Sequence, residues 1–307
     1  MTKVNSLNDL SLKKSWLTIG VFDGVHLGHQ HMLKLLTSGA NIASVPAVVL
    51  TFDPHPAVVL GKQNSFKWLS PPDERSSLLE EQGVEHIITQ HFDMDFASIS
   101  ARDFMESLSR QLGLCHLLVG HDFALGRDRQ GDVPYLTLLG KELGYTLQVV
   151  EAVSDQDGVI SSTRIRQNIR TGRVAEVSQE LGRSYALFGK VMHGDGRGRT
   201  IQIPTANLEL PVDKLIPTNG VYACRAWVNG ERKAAVTNIG TRPTFTNGEQ
   251  TLHVETHILD HQEDIYGEII NLEFVDRLRP EQRFQTVEAL VGQIHKDIAQ
   301  ARKILKG

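Results

Sequence analysis

The residues carrying the most chemistry follow the first apolar run of the chain. Leu17-Thr18-Ile19-Gly20-Val21-Phe22-Asp23-Gly24-Val25-His26-Leu27-Gly28-His29-Gln30 reads as a strand, a glycine-bracketed turn and a helix starting near Gly28. The backbone amides and dipole of a helix N-terminus form a ready anion site. His26 and His29 are three apart, so a helical first turn projects both to one side. Gly28 between them lets a phosphate or a purine ring approach the backbone. Surface polarity and a metal site compete with this reading, but no third ligand is identifiable and the spacing is not that of a zincin. The chemistry indicated is directed at phosphate.

A second segment suits the other end of a polyphosphate. Ile160-Ser161-Ser162-Thr163-Arg164-Ile165-Arg166 places hydroxyls at a helix N-cap, followed by two arginines. In isolation a run of hydroxyls is more often a plain helix cap. Paired with the histidine motif, the phosphate reading prevails. The nucleotide- and phosphate-binding candidates are therefore Gly20, Phe22, Asp23, Gly24, Gly28, Ser161, Ser162, Thr163, Arg164 and Arg166, with His26 and His29 as catalytic candidates.

These motifs need a scaffold. Up to about residue 180, β-branched runs alternate with amphipathic segments. Strands are expected at Trp16–Phe22, Pro46–Phe52, His86–Thr89, His116–Gly120 and Thr146–Glu151. Helices are expected near Leu27–Leu36, Pro72–Gln82, Ala101–Leu112 and Pro134–Leu143. This alternation implies an α/β domain with a doubly wound parallel sheet, whose ligands bind at the carboxyl ends of the strands.

From about Tyr185 strands follow one another: Leu187–Met192, Val221–Val228, Glu231–Thr237, Leu252–Leu259 and Glu268–Val275. Asn229-Gly230 signals a type I′ hairpin. Phe284, Val287, Val291, Ile294, Ile298, Ala301 and Leu305 fall on one stripe, expected to dock a C-terminal helix on its own domain. An antiparallel β-barrel with a C-terminal helix fits.

Composition excludes several classes. Among 307 residues, Lys+Arg 32 against Asp+Glu 36 leaves a net charge of −4, which argues against non-specific nucleic-acid binding. No apolar stretch is long enough to span a bilayer, and the first residues lack the apolar core of a secretory signal. Cys115 and Cys224 are too few for a disulfide framework or a cysteine zinc site and are expected as buried thiols. A cytoplasmic protein with no membrane partner is expected; its oligomeric state is not readable.

The histidine motif resembles that of the His-x-Gly-His nucleotidylyltransferases, which move a nucleotidyl group from a nucleoside triphosphate onto an acceptor. An acceptor phosphate is already an anion, so it needs in-line alignment and neutralisation of developing charge rather than a strong base. Further segments narrow the resemblance. Thr51-Phe52-Asp53-Pro54-His55-Pro56 and Val119-Gly120-His121-Asp122-Phe123-Ala124-Leu125-Gly126 close two strands at the ligand end of the sheet. In the second half, Gly189-Lys190-Val191-Met192-His193-Gly194-Asp195-Gly196-Arg197-Gly198-Arg199 leads into Ile203-Pro204-Thr205-Ala206-Asn207-Leu208. Asn238-Ile239-Gly240-Thr241-Arg242-Pro243-Thr244-Phe245 and Val254-Glu255-Thr256-His257-Ile258-Leu259 follow.

Together these resemble the bifunctional bacterial riboflavin kinase/FMN adenylyltransferases, or FAD synthetases. The resemblance implies an FMN adenylyltransferase domain over residues 1–182 and a riboflavin kinase domain over 183–307. It implies ATP as co-substrate, Mg²⁺, and riboflavin, FMN and FAD as substrates or products. Flavin contacts fall on Asp53, His55, Pro56, Asp122 and Phe123; the glycine loop with Gly194, Gly196, Gly198 and Arg199 covers ATP; Thr205 and Asn207 hold Mg²⁺; Glu255 is the catalytic glutamate. The neutral ribityl hydroxyl benefits from such a base as it attacks the γ-phosphorus. Alternation puts His253, Glu255 and His257 on one strand face, with Leu252, Val254 and Ile258 on the other. The chain departs from the family at Asp53, commonly Glu, and at Gln202, commonly Gly. The competing expectations are an adenylyltransferase whose barrel binds flavin with weak or no kinase activity, and a non-catalytic flavin-binding regulator.

Overall fold

The computed structural model describes residues 1–62, 66–194, 201, 203–243 and 250–306. Contacts divide the chain into two units, Met1–Ser162 and Thr163–Gly307. In the first, β1 (Thr2–Val4), β2 (Ser15–Ile19), β3 (Ala47–Asp53), β4 (His86–His91), β5 (Leu114–Gly120) and β6 (Thr146–Val150) form one parallel sheet in the order β1-β4-β3-β2-β5-β6. The winding reverses beside β2, so the crevice of a doubly wound sheet opens at its carboxyl end. The helices α1 (Leu27–Ile42), α2 (Pro56–Val59), α3 (Pro72–Glu81), α4 (Ala101–Leu112) and α5 (Val133–Leu143) fill the connections.

Burial on both faces explains the apolar run in β3. Val48 and Leu50 join Leu17, Ile19, Leu117 and Val119 under Phe104, Met105, Leu108 and Leu112 of α4. Ala47 and Val49 point the other way, with Ile87 and Leu118, against Leu33, Leu36 and Ala40 of α1. This is period-two alternation with both faces covered. Ser100 caps α4 by accepting the Asp103 amide at 3.1 Å, and Gly113 ends it with φ 55°. Such an N-cap contributes about 1 kcal/mol.

Two details differ from expectation. β1 is an edge strand of three residues, too short for alternation to announce it. β2 ends at Ile19 rather than Phe22 because Phe22 takes a left-handed φ of 53°.

In the second unit α6 (Ser162–Thr171, its first residue still in the first unit) and α7 (Val174–Leu181) precede a closed antiparallel barrel. Its strands are β7 (Tyr185–Met192), β8 (Ala206–Glu209), β9 (Gly220–Val228), β10 (Glu231–Pro243), β11 (Gln250–Ile258) and β12 (Ile269–Arg279), ordered β7-β8-β11-β10-β9-β12. The pattern of the sequence changes near 182/183, but α7 already packs on β12 and β7, which draws the contact division upstream. β8 was not among the expected strands; four residues give little alternation to read. The Asn229-Gly230 turn has φ of 51° and 78°, and Val228 pairs with Glu231, as a type I′ hairpin requires.

The last helix, α8 (Val287–Leu305), corrects one expectation. Only the later part of its stripe docks: Ile298, Ala301 and Leu305 pack with Val221, Ala223 and Val236. Arg279 fixes this end, gripping the buried Asp297 through Nε at 3.0 Å and Nη2 at 2.8 Å, while Gln293 donates to Asp297 at 2.9 Å. Earlier stripe positions, Phe284, Val287 and Ile294, line a cavity instead, with Leu290 beside them. Cys224 is buried, its thiol pushed up to about 12 by desolvation. Cys115, expected buried, is only partly so and donates to the Ser15 carbonyl at 3.1 Å.

Candidate active sites

The turn after β2 is held in an unusual backbone. Phe22, Gly24 and Val25 have φ of 53°, 84° and 38°, and both apolar side chains are buried. Left-handed conformations at β-branched and bulky residues are costly and persist only where surroundings enforce them. Here the enforcement is visible. Thr51 Oγ1 donates to Val21 O at 3.0 Å, Gly24 donates to Ser70 Oγ at 2.7 Å, and Gln30 Nε2 donates to Val25 O at 2.8 Å. The Asp23 carboxylate, 2 % exposed, accepts the amides of Leu69 at 3.1 Å and Ser70 at 2.9 Å. Asp23 thus clamps one loop to another. Ser70 belongs to no motif and could not have been found from sequence.

His26 is the N-cap of α1, and its Nδ1 accepts the His29 amide at 3.4 Å. In the neutral ring that leaves the proton on Nε2. The two imidazoles stack with centroids 3.7 Å apart and planes 21° off parallel, so the spacing does bring them to one side. Phe22 meets the His29 ring edge-on at 5.1 Å. Burial, with His26 beside it, holds His29 well below its usual value, and its Nδ1 is buried without a partner among the described residues. Gly28 also serves its neighbour. A Cβ there would stand 3.1 Å from His26 Cε1, so the missing side chain makes room for the imidazole.

Further candidates follow the neighbouring strands. Asp53 closes β3, and His55 caps α2 by accepting the Ala57 amide at 3.0 Å. Pro56 is the first residue of α2. Asp122 and Phe123 follow β5, where Arg129 Nη2 donates to Asp122 O at 2.9 Å. Ser162 Oγ donates to the Asp23 carbonyl at 2.8 Å, and Ile160 O lies near Gly28, so this end of the hydroxyl motif does meet the histidine turn. Thr163, Arg164 and Arg166 belong to the second unit. There Arg164 Nε is held by the buried Glu180, to which Asn168 also donates at 2.8 Å.

In the barrel, Glu255 occupies one rung across three strands, paired with Asn207 on β8 and Asn238 on β10. Val254, Thr256 and Ile258 are buried and His253, Glu255 and His257 are half-buried, as the alternation predicts, although Leu252 is exposed. Glu255 faces a cavity of about 540 Å³ with Thr205, Asn238, Phe284 and Ile294. A second cavity of about 450 Å³ is lined by Pro204, Thr205, Ala206, His261 and Tyr266, so Thr205 is a wall of both. His257 donates through Nδ1 to Pro204 O at 2.7 Å and steadies that segment. Gly194 lies so near Asn207 that a Cβ would fall 2.1 Å from its Nδ2. Gly196, Gly198, Arg199 and Gln202 lie outside the described residues.

Thr205 and Asn207 offer hydroxyl and amide oxygens, hard donors suited to a magnesium ion that keeps waters and substrate phosphates as its other ligands. Among the described residues no group of three or more His, Cys, Asp or Glu is placed to hold a metal ion, and no helix is long and apolar enough to cross a membrane.

Comparison with known proteins agrees with both halves. A family model for FAD synthetase matches residues 9–164, and one for riboflavin kinase matches residues 181–305. A Listeria monocytogenes protein named bifunctional riboflavin kinase/FMN adenylyltransferase is 36% identical over 92% of this chain and 89% of its own. The Bacillus subtilis protein of the same name is 37% identical over 94% and 92%, and that of Escherichia coli 35% over 98% and 96%. A solved Streptococcus pneumoniae chain named macrolide-efflux protein superposes with a TM-score of 0.91 at 32% identity, covering 98% of each chain. The chain belongs to the bifunctional riboflavin kinase/FMN adenylyltransferase family.

Proposed function

We propose that residues 1–182 transfer an adenylyl group from ATP to FMN, and residues 183–307 phosphorylate riboflavin. The observation that carries the division is that each module has its own site of the right chemical kind. The first presents stacked imidazoles at a helix N-terminus; the second presents a carboxylate facing a cavity. The family models ending at 164 and beginning at 181 support the same division.

In the first module the FMN phosphate attacks the α-phosphorus of ATP and pyrophosphate leaves. His26 and His29 donate hydrogen bonds to the oxygens on which charge builds, a role that needs no proton abstraction. Gly20, Phe22, Asp23, Gly24 and Gly28 shape the turn, and the Asp23 carboxylate acts by clamping it. Ser161 and Ser162 receive the polyphosphate, while Asp53, His55, Pro56, Asp122 and Phe123 receive the flavin.

In the second module the flavin ring enters the cavity beside Phe284 and Ile294, whose size is ordinary for a cofactor site. Glu255 accepts the proton of the ribityl hydroxyl as it attacks the γ-phosphorus of ATP. Gly194, Gly196, Gly198 and Arg199 cover the nucleotide. Thr205 and Asn207 would hold Mg²⁺, which would offset charge on the transferring phosphoryl group. We assign the enzyme to the cytoplasm, where its thiols stay reduced.

The kinase match over residues 181–305 favours two activities over one active module with a silent barrel. A chromatographic time course with riboflavin, ATP and Mg²⁺ tests this: FMN should appear first and FAD follow. Untouched riboflavin alongside conversion of supplied FMN would leave only the adenylyltransferase.

A further inference from the structure

Arg75 belongs to no motif of the sequence. It lies in the first turn of α3, is 0% exposed, and uses one nitrogen, Nη2, to donate to Phe52 O at 3.0 Å. Its Nε and Nη1 are buried with no hydrogen-bond partner among the described residues. The guanidinium stands 4.6 Å from the centroid of the Trp68 ring. Trp68 is itself buried, with the Phe66 ring edge-on at 4.8 Å and the His55 ring at 5.4 Å; Phe66 and His55 are 4.2 Å apart. Arg75 therefore reaches the Asp53–Pro56 turn twice, through the carbonyl just before it and through the indole that backs His55.

A side chain needed only to fill this space would be apolar, since desolvating a charge that is incompletely paired is costly. Buried polar groups in cores are almost always satisfied, and the exceptions gather where function constrains the residue. The electrostatics agree. Burial pushes the guanidinium down from its ordinary value, while the carboxylates of Asp23, in the histidine turn, and Asp53 act to keep it charged. Arg75 thus supplies positive charge beside two carboxylates at the strand ends proposed to receive a phosphorylated flavin.

We infer that Arg75 is a positioning residue for the flavin side of the adenylyl-transfer site, fixing the Asp53–Pro56 turn through the Phe52 carbonyl and the Trp68–His55 ring contact. The inference rests on the proposed assignment of that turn to FMN. Its signature is selectivity between the two substrates of one reaction, which a loss of packing would not produce.

The test is steady-state FAD formation by the full-length chain with FMN and ATP varied in turn. Arg75→Met should raise the KM for FMN about tenfold, in the range expected when a supporting residue of a site is removed, and leave the KM for ATP unchanged. Arg75→Lys, which keeps the charge but not the planar fork, should recover part of the loss. Trp68→Leu should reproduce the FMN effect without touching the charge, and it carries the test if Arg75→Met does not fold. An unchanged KM for FMN in Arg75→Met, or in Arg75→Lys and Trp68→Leu together, overturns the inference. So does an equal rise for both substrates alongside a lowered melting temperature. Wild-type protein unable to convert FMN would instead overturn the assigned reaction.

Discussion

Between β2 and α1 the chain passes through three left-handed residues, Phe22, Gly24 and Val25, and delivers two stacked imidazoles to a helix start. Glu255 arrives differently, in the middle of a ladder, flanked by Asn207 and Asn238 on regular strands. The first arrangement needs tethers from Thr51, Ser70 and Gln30 to hold a backbone that would otherwise relax. The second is set by the register of the sheet. What each buys is a different environment. The tethered turn buries His26 and, through desolvation and the neighbouring imidazole, holds His29 well below its usual value, suited to donating hydrogen bonds to an anion. The ladder leaves Glu255 half-buried at a cavity wall, suited to accepting a proton. An acceptor that is already a phosphate asks for the former; a neutral hydroxyl asks for the latter.

The sharpest way to break this comparison is to remove one group from each side. Glu255→Ala should lower riboflavin phosphorylation by ~10²–10⁴-fold, the usual contribution of a general base, and spare FMN adenylylation. His26→Ala should do the reverse, with FAD formation down ~10²–10³-fold through loss of a charge-stabilising donor. A folded variant that lost both reactions would mean the sites are not separate.

A gentler pair uses the glycines that make room for site side chains. Gly194→Ala drives a methyl against the Asn207 amide and Gly28→Ala drives one against the His26 ring. Each should slow only its own reaction, by roughly tenfold for a misplacement of under 1 Å. The first contact is the closer, 2.1 Å against 3.1 Å, so the kinase step should suffer more. Equal losses in both reactions from either variant would show a general loss of structure instead.

The smallest effect is on stability. The folded value of His29 is depressed, so between it and the unfolded value the unfolded chain binds the extra proton. Stability is then full above about pH 6.5 and is lost as pH falls through the folded value. His29→Gln should flatten that acid-side decline in melting temperature. An unchanged slope would mean that His29 is not held neutral by the fold.

The sequence by itself carried the architecture and most of the chemistry, because both are written in local patterns. Apolar runs such as Ala47–Leu50, the alternation around Glu255, the Asn229-Gly230 turn and the His26–His29 spacing each depend on residues close in the chain. What the tertiary structure decided depends on residues far apart. Thr51 on β3 and Ser70 in the loop before α3 fix the histidine turn from far along the chain, and Gly28 serves the His26 ring as well as the helix start. The apolar stripe of α8 divides into a docked end and a cavity-lining end because Arg279 on β12 seizes Asp297 partway along it. Arg75 belongs to no motif of the sequence. Only the fold closes Trp68 and the Phe52 carbonyl around it, since burial is set by what packs against a residue and not by the residue itself.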